Sequence, residues 1–579
     1  MNDQNYGGLD SVKLKEAAAF IRFKTERGLR YLSDNGMRAT WEKLTGKTRD
    51  YGEWLMLHEK RPSAGAMQKA AVFFENKPRF SCLINGSGFS IEAIAATADR
   101  LKQQGYPFWE GILFGVDALP AELPISKWQP AADLQTAIEK ATGNFCICLC
   151  AGDLLTTDAL FALALALDEG GEMDVLYADE DVLDATGCRI DPRFKADWSP
   201  DSLLSQNYMG YPVAIDRDLM QILDVATDFN FENQYYDLLL QATEEAFAIG
   251  HVPKLLCHRC EASHPVTDVT RVIGRAMARR GISGAVRYGA LPGTAYPIYA
   301  IQNHPKISIL MPMRDHADMT RTCIDSMLAH TKYDNFEIIA IDNGSVEAQT
   351  EIMLTLYQRQ LKDRFKVIRM DIPFNYSKLN NAGAEFATGD YLLLLNNDIE
   401  ILSDNWLEIM LGYAQQSHIG AVGAKLYFPD QTIQHGGVVV GPGGVAAHAM
   451  FGFEKEDPGY CNRLMTVCNY SAVTAAMLMV SKDHYDEAGG LDEINFVVAV
   501  NDVDLCLKMQ ERGLYNVYLP MVEAIHYESK SRGKDDTAEK RLRLLKEQQF
   551  FRKKWKPVIQ RDPCYHPNLT LGRDDFSLK

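Results

Sequence analysis

The chain lacks any apolar run long enough to cross a bilayer. Its longest, such as Ala159–Leu167 and Tyr391–Leu395, fall far short of the roughly 20 residues a spanning helix needs. The opening Met1–Asp10 is polar and has no secretory-signal pattern. Positive charge is in deficit: 60 Lys+Arg face 77 Asp+Glu, a net −17. That balance argues against nucleic acid as the main partner, which would need a clustered basic surface. Glycine fingerprints are missing as well. Neither GxGxxG nor a P-loop follows the strand-like run ending at Met311, which excludes a dinucleotide dehydrogenase and a P-loop NTPase. No glycine-rich N-terminal loop of the nucleotidyltransferase kind is present either. Cysteine is not scarce, at twelve. The thiols sit mostly inside apolar segments (Cys146, Cys148, Cys150, Cys506), as buried reduced thiols of a cytoplasmic protein would. Cys257-His258-Arg259-Cys260 has no second pair at zinc-ligand spacing.

What is present is an ordinary globular composition, 46% hydrophobic and 24% charged over 579 residues, enough for three domains or two large ones with extensions. Helix-forming stretches over residues 11–60 end near Pro62. From about residue 79 short β-rich runs alternate with helical patterns, the signature of an α/β domain. A basic stretch, Ala538–Lys556, reads as a C-terminal helix before a turn-rich tail, Asp562–Lys579.

The chain also repeats itself at low fidelity. Arg79–Ile84 resembles Lys306–Met311, Gly143–Asp153 resembles Gly389–Asp398, and Asn233–Leu240 resembles Val500–Leu507. In each copy a strand-like segment then ends in a histidine, His258 or His526. Four landmarks in one order predict two copies of one α/β domain. The expected organisation is a helical extension over 1–78, domains over 79–300 and 301–535, and a C-terminal helix and tail over 536–579.

In the second copy, strand-like runs deliver polar groups at their carboxyl ends, where open α/β sheets lodge nucleotides. One run opens onto Pro312-Met313-Arg314-Asp315 and another onto Asp342-Asn343-Gly344-Ser345. The latter would also make a good turn on any surface. Tyr391–Leu395 reads as a central strand ending in Asn396-Asn397-Asp398, hard oxygen donors suited to Mg²⁺ or Mn²⁺ held with phosphates. Asn501-Asp502-Val503-Asp504 supplies two carboxylates at a helix start. One is expected to cap and the other to act as a general base in a cleft. His526 alone reads as a metal ligand or as a core histidine.

Together these motifs resemble a family 2 glycosyltransferase of the GT-A fold. Asn375–Asn381 and His526–Gly533 belong to the resemblance. Gly420–Leu426, Gln434–Gly437 and Ser471–Ala476 are similar to a bacterial subgroup that makes surface polysaccharides, including lipopolysaccharide O-antigen and rhamnan-type chains, often with two GT-A domains in tandem. The resemblance implies an inverting hexosyl- or rhamnosyltransferase using a nucleotide-sugar donor and a divalent metal, Mn²⁺ or Mg²⁺. It places Asp342 on the base, and Pro312, Arg314, Asp315, Asn380, Asn381 and Asn397 around the nucleotide. Asp398 and His526 would hold the metal and Asp502 would take the acceptor's proton. His435, Thr474 and Asp504 would border the sugar or acceptor. The family's metal motif often carries two acids, whereas Asn396-Asn397-Asp398 keeps one.

The first copy resembles the same family through Tyr177–Asp181, Phe194–Asp201 and Leu204–Tyr208. It carries Cys150-Ala151-Gly152-Asp153 at the metal position and Tyr235 at the base position, and an ordinary tyrosine is a poor base at neutral pH. It is therefore expected to be inactive. Asp179–Asp181 reads either as part of a site rebuilt in another register or as a solvated acidic loop. The expected acceptor is a glycan, lipid-linked or on a protein such as flagellin. A lipid-linked acceptor implies peripheral contact with the inner membrane, with Arg541–Lys556 as the basic contact. The rival class is a carbohydrate-binding scaffold with both sites dead.

Overall fold

The structure is a computed structural model that describes residues 50–579 except 122, 124–125, 261–265 and 528–536. Most of the helical reading of residues 11–60, and the motif residues 528–533, therefore lie outside the described residues. Tyr51–His58 and Ala64–Ala71 are helices. The chain then builds two mixed sheets whose main paths run in the same order. The first reads Trp128–Ala131, Trp109–Phe114, Phe80–Asn85, Phe145–Cys150, Val213–Asp216, Val175–Leu183, Ile249–Cys260, Leu154–Leu155. The second reads Phe365–Arg369, Phe336–Asp342, Ile307–Met313, Tyr391–Leu395, Met477–Ser481, Ile419–Tyr427, Tyr515–His526, Ile399–Ile401. The parallel and antiparallel pairings along the two paths also agree, position by position. The fold is thus α/β with two tandem GT-A-like units. None of the helices among the described residues is long and apolar enough to cross a membrane.

The repeat extends to side chains. In the first sheet the buried Glu110 accepts the hydroxyl of Ser81 (2.6 Å) and the N–H of Thr142 (2.7 Å), while Ser81 Oγ accepts Gly143 N–H (2.9 Å). In the second, buried Glu337 accepts Ser308 (2.7 Å) and Thr388 N–H (2.8 Å), and Ser308 Oγ accepts Gly389 N–H (2.9 Å). Both glycines are needed. A Cβ on Gly143 would lie 2.7 Å from Arg79 O and Ser81 N, and one on Gly389 2.7 Å from Lys306 O and Ser308 N. These knots join the first two strands of each sheet-forming run to the turn that enters Phe145–Cys150 or Tyr391–Leu395. They were invisible as motifs because their members lie about 30–80 residues apart.

The acidic run Asp179–Asp181 is not a solvated loop; it lies in the buried strand Val175–Leu183. Glu180 pairs with Lys195 (3.4 Å), and Asp181 with His258 (2.6 Å) and Arg189 (2.6 Å). Asp179 receives His251 Nε2 (3.0 Å) and faces His566 Nε2 (2.8 Å) from the C-terminal tail. Asp179, His251 and His566 offer atoms within 4.8 Å of one another, spacing that would suit a metal. The proton pattern argues otherwise. His251 uses both ring nitrogens on carboxylates, Asp179 and Asp197. His566 Nδ1 accepts Asn568 N–H (3.0 Å), which puts its proton on Nε2, against Asp179. Burial disfavours the charge on His251, but the two carboxylates raise its pKa overall. The cluster is a buried polar anchor for the tail, reinforced by the ion pair of Arg561 with Asp197 (2.7 Å).

The two units touch directly. Asn469 accepts the N–H of Asp201 (3.0 Å) and donates to its carboxylate (2.8 Å), and His418 pairs with the same carboxylate (3.1 Å).

Burial alone would raise the Glu337 carboxyl, but Lys366, Ser308 and Thr388 hold it down at about 2. A depressed carboxylate stabilises the fold above its unfolded pKa of about 4.3, and that contribution fades as pH falls toward the folded value. Glu337→Gln should therefore cost on the order of 2–3 kcal/mol near neutrality. In urea unfolding, its deficit against the wild type should shrink steadily from about pH 5 down to about pH 2, the span between the reference carboxyl value and the folded one. A deficit independent of pH would assign the loss to packing alone.

Candidate functional site

The second sheet opens a cleft of about 520 Å³ at the carboxyl ends of its central strands. Pro312–Arg314 come from the end of the first strand, Asn343 from the turn after the second, and Asn396–Asp398 from the end of Tyr391–Leu395. That last strand is buried over its four leucines, as expected where both faces are covered. Thr474–Ala476, Asn501–Val503 and His526 form the far wall, and Lys540 and Arg543 of the helix Ala538–Lys554 close it from above.

His526 is set by pairing. It stands opposite Ile399 in the sheet, one residue after Asp398. Its Nδ1 lies 2.8 Å from Gln434 Oε1, and a carbonyl oxygen there requires a proton on Nδ1. Nε2 then presents a lone pair. It lies 3.1 Å from Asp398 Oδ1, a buried oxygen with no hydrogen-bond partner. Asn396 Nδ2 stands 3.4 Å from the same nitrogen. Two acceptors facing each other, one of them orphaned, form a place for a cation. His526 thus stands at the cleft beside Asp398 and not in the core. Asn397 is spent on Thr320 Oγ1 (2.9 Å) although it lines the cleft.

Asp502 and Asp504 divide as a helix requires, two residues apart and on different faces. Neither is the N-cap of Asn501–Glu511, which is Val500 in a left-handed conformation. Asp502 faces the cleft, half-buried, and Oδ2 accepts Ala475 N–H (3.0 Å). Ala475 O in turn accepts the hydroxyl of Tyr376 (2.8 Å), so helix and loop hold one another. Burial and the adjacent Asp502 carboxylate push the Tyr376 phenol well above its usual value.

Several expected site residues lie behind the wall. Asp504 does not border a sugar. It is fully buried and takes Lys554 Nζ (2.6 Å) and Trp555 Nε1 (2.8 Å) from the C-terminal helix region. Asp342 is bound to Ser345 N–H (2.8 Å) and Arg369 (2.7 Å), and Asn343 faces the cleft in its place. Asp315 is used on Val346 N–H (2.8 Å) and Glu347 N–H (2.9 Å). Asn380 donates to Tyr376 O (2.9 Å), and Asn381 donates to Leu491 O (2.8 Å) while accepting Tyr485 (2.7 Å). His435 is fully buried and paired to His448 Nδ1 (2.8 Å). Burial, His448 and His526 press its pKa well below that of a free histidine, so it stays neutral. Thr474 lies on the cleft as expected.

Gln434, Asn343, Tyr376, Lys540 and Arg543 were missed as site residues. Gln434 and Tyr376 lay inside motifs already singled out, but nothing in sequence shows which way a side chain turns.

In the first unit the equivalent pair is Asp153 and His258, since Leu154 stands opposite His258. Asp153 is buried, and accepts the N–H groups of Cys150 (3.1 Å) and Cys260 (3.0 Å). Burial raises its pKa to about 6. Arg259 is buried beside it. Burial opposes the guanidinium's charge, but Asp153, Glu180 and Glu232 outweigh that and hold it cationic. Tyr235 donates to Gly210 O (3.0 Å) and is fully buried.

Comparison with known proteins bears on this geometry. Residues 308–439 match the family model "Glycosyl transferase family 2". The chain carries a family 2 glycosyltransferase domain. It is 32% identical over 564 residues to the O-antigen biosynthesis protein RfbC of Myxococcus xanthus, covering 92% of this chain and 43% of that one. It is 39% identical over 459 residues to the uncharacterized protein y4gI of Sinorhizobium fredii, covering 76% of this chain and 50% of that one. The chain thus spans about half the length of these relatives, or less. Among solved structures, the mannosyltransferase PcManGT of Pyrobaculum calidifontis, in complex with GDP-Man and Mn²⁺, aligns at 14% identity and TM-score 0.32, over 44% of this chain and 68% of that one.

Asp504→Ala would strand Lys554 and remove the Trp555 bond, a loss expected to cost about 3–5 kcal/mol for a broken buried pair. Its unfolding temperature should fall, with protease cutting near residue 540 first. Asp502→Asn should leave both unchanged; equal destabilisation would mean that Asp502 is also structural.

Proposed function

We propose that the second unit is a metal-dependent, inverting glycosyltransferase that moves a sugar from a nucleotide donor to a glycan in surface-polysaccharide assembly. The carrying observation is the orphaned Asp398 Oδ1 facing the His526 lone pair at 3.1 Å, in the cleft that also holds Asp502. A carboxylate oxygen with an imidazole nitrogen whose other nitrogen is held by an amide is a donor set that fits Mn²⁺ or Mg²⁺. Asp398 and His526 would hold the ion, which when bound supplies Lewis-acid stabilisation to the departing diphosphate. The printed name of RfbC, an O-antigen biosynthesis protein, agrees with the polysaccharide part of this reading.

Pro312–Arg314 and Asn343 would take the nucleoside. Asn343 Oδ1 is buried without a partner and fits a base N–H, so it replaces Asp342 in that role. Asp502 would orient the acceptor hydroxyl with Oδ1, which also accepts Val503 N–H (2.9 Å), and take its proton as that hydroxyl attacks the anomeric carbon. The bond to the diphosphate oxygen breaks on the opposite face, which inverts the centre. Thr474–Ala476 would flank the sugar.

The first unit would be non-catalytic. Its Asp153 is buried and spent on the N–H groups of Cys150 and Cys260, where the second unit leaves Asp398 Oδ1 open, and Tyr235 is turned into the core. It would serve to bind or position the acceptor, a lipid-linked glycan reached by peripheral membrane association.

Asp502→Asn should cut transfer by about 10²–10⁴-fold, the usual worth of a general base, with donor affinity unchanged. EDTA should suppress activity and Mn²⁺ restore it. Asp398→Ala should abolish the thermal shift that one nucleotide sugar with Mn²⁺ gives the wild type, whereas Asp153→Asn should retain it together with the full rate. Loss of transfer in Asp153→Asn at unchanged stability would make the first unit a second active site.

A further inference from the structure

The cleft is lined by charged side chains of both signs. Its lining brings two carboxylates, Asp398 and Asp502, and three basic side chains, Arg314, Lys540 and Arg543. The Arg314 side chain is 59% exposed at the nucleoside end. Lys540 and Arg543 are half-buried and belong to the C-terminal helix, outside the matched family segment 308–439.

We infer that Lys540 and Arg543 bind the donor's diphosphate, making the C-terminal helix a wall of the donor site. The inference rests on the donor-site reading above. Lys540 and Arg543 sit three residues apart, so they share one face of the helix. Thr537 Oγ1 caps that helix through Lys540 N–H (3.3 Å), so the first turn also directs its positive end toward the same region.

The helix cannot drift. Glu547 accepts the N–H of Val498 (2.9 Å) in the loop that leads into Asp502, and Arg543 Nε stands 3.6 Å from the same carboxylate. Lys554 and Trp555 fix the far end on Asp504. The cations are therefore held at a set height above Asp398 and Asp502.

Their chemistry is that of a leaving-group clamp. As the acceptor oxygen bonds to the anomeric carbon and its proton passes to Asp502, the old bond's electron pair stays on the diphosphate. That group gains one negative charge, and a guanidinium and an ammonium meet it directly. With one acid in Asn396-Asn397-Asp398, part of this charge falls to the protein's own cations.

The test uses the full chain with Mn²⁺ and the probes UDP, GDP and dTDP, each beside its nucleoside, in calorimetric titration. A wild type that binds none of the diphosphates would overturn the donor-site reading itself. If one binds, Lys540→Ala and Arg543→Ala should each weaken that diphosphate about tenfold, as loss of a charge-assisted contact does. The salt dependence should flatten, and nucleoside affinity should be unchanged. Lys540→Arg should recover much of the loss, and Lys546→Ala on the exposed side should have no effect. Wild-type diphosphate affinity and salt dependence in both alanine variants would overturn the inference. So would equal losses for nucleoside and diphosphate, which would mark a structural role.

Discussion

The helix that carries Asp502 and the C-terminal helix are joined through one buried carboxylate. Asp504 lies two residues beyond Asp502, sealed from solvent, and its charge is matched by Lys554 with a further bond from Trp555. A buried carboxylate without such partners would be strongly unfavourable, so the two helices cannot separate cheaply. That pairing fixes where Asp502 points and where Lys540 and Arg543 stand. Glu547 extends the tie to the loop at Val498. The cleft is thus built from segments more than two hundred residues apart, drawn together at strand ends and locked by a helix at the end of the sheet-forming chain.

The two units show how one scaffold holds different contents. Strand order, pairing sense and the Ser–Glu–Thr–Gly knots agree. The Asp–His register agrees too, Asp153 with His258 and Asp398 with His526. The contents differ at the base position, Tyr235 against Asp502, and at the residue after the histidine. Arg259 faces Glu232 (3.5 Å), whereas Tyr527 bonds Glu400 on the rim. A fold does not dictate an activity, and the contents of the strand ends decide it.

Much of the architecture was legible from sequence because it rests on local signals. The repeat landmarks, the leucine strand ending in Asn396-Asn397-Asp398 and the C-terminal helix all follow from periodicity and order. Asp398, His526, Asp502 and Thr474 line the cleft. The expected residues that do not line it share a cause. Asp504, Asp342, Asp315, Asn380 and Asn381 belong to motifs that do form the site, but their side chains turn toward Lys554, Arg369, the 346–347 backbone, Tyr376 and Leu491. Motif spacing reports which segment arrives, not which face it shows. The run Asp179–Asp181 misled for a related reason: its cations, Lys195, Arg189, His251 and His566, come from distant segments, so its burial could not be read locally. Lys540 and Arg543 read only as part of a basic C-terminal helix because the tertiary tie through Asp504 and Glu547 is what brings them over the cleft.

The central claim is that one of two matching units keeps the donor site. Hydrogen exchange on the full chain with Mn²⁺ and the nucleotide sugar that shifts its melting tests it most directly. Exchange should slow at residues 396–400, 474–476 and 538–547, with residues 150–155 and 257–260 unchanged. Slowing confined to the first-unit segments, or shared equally by both, would contradict the account.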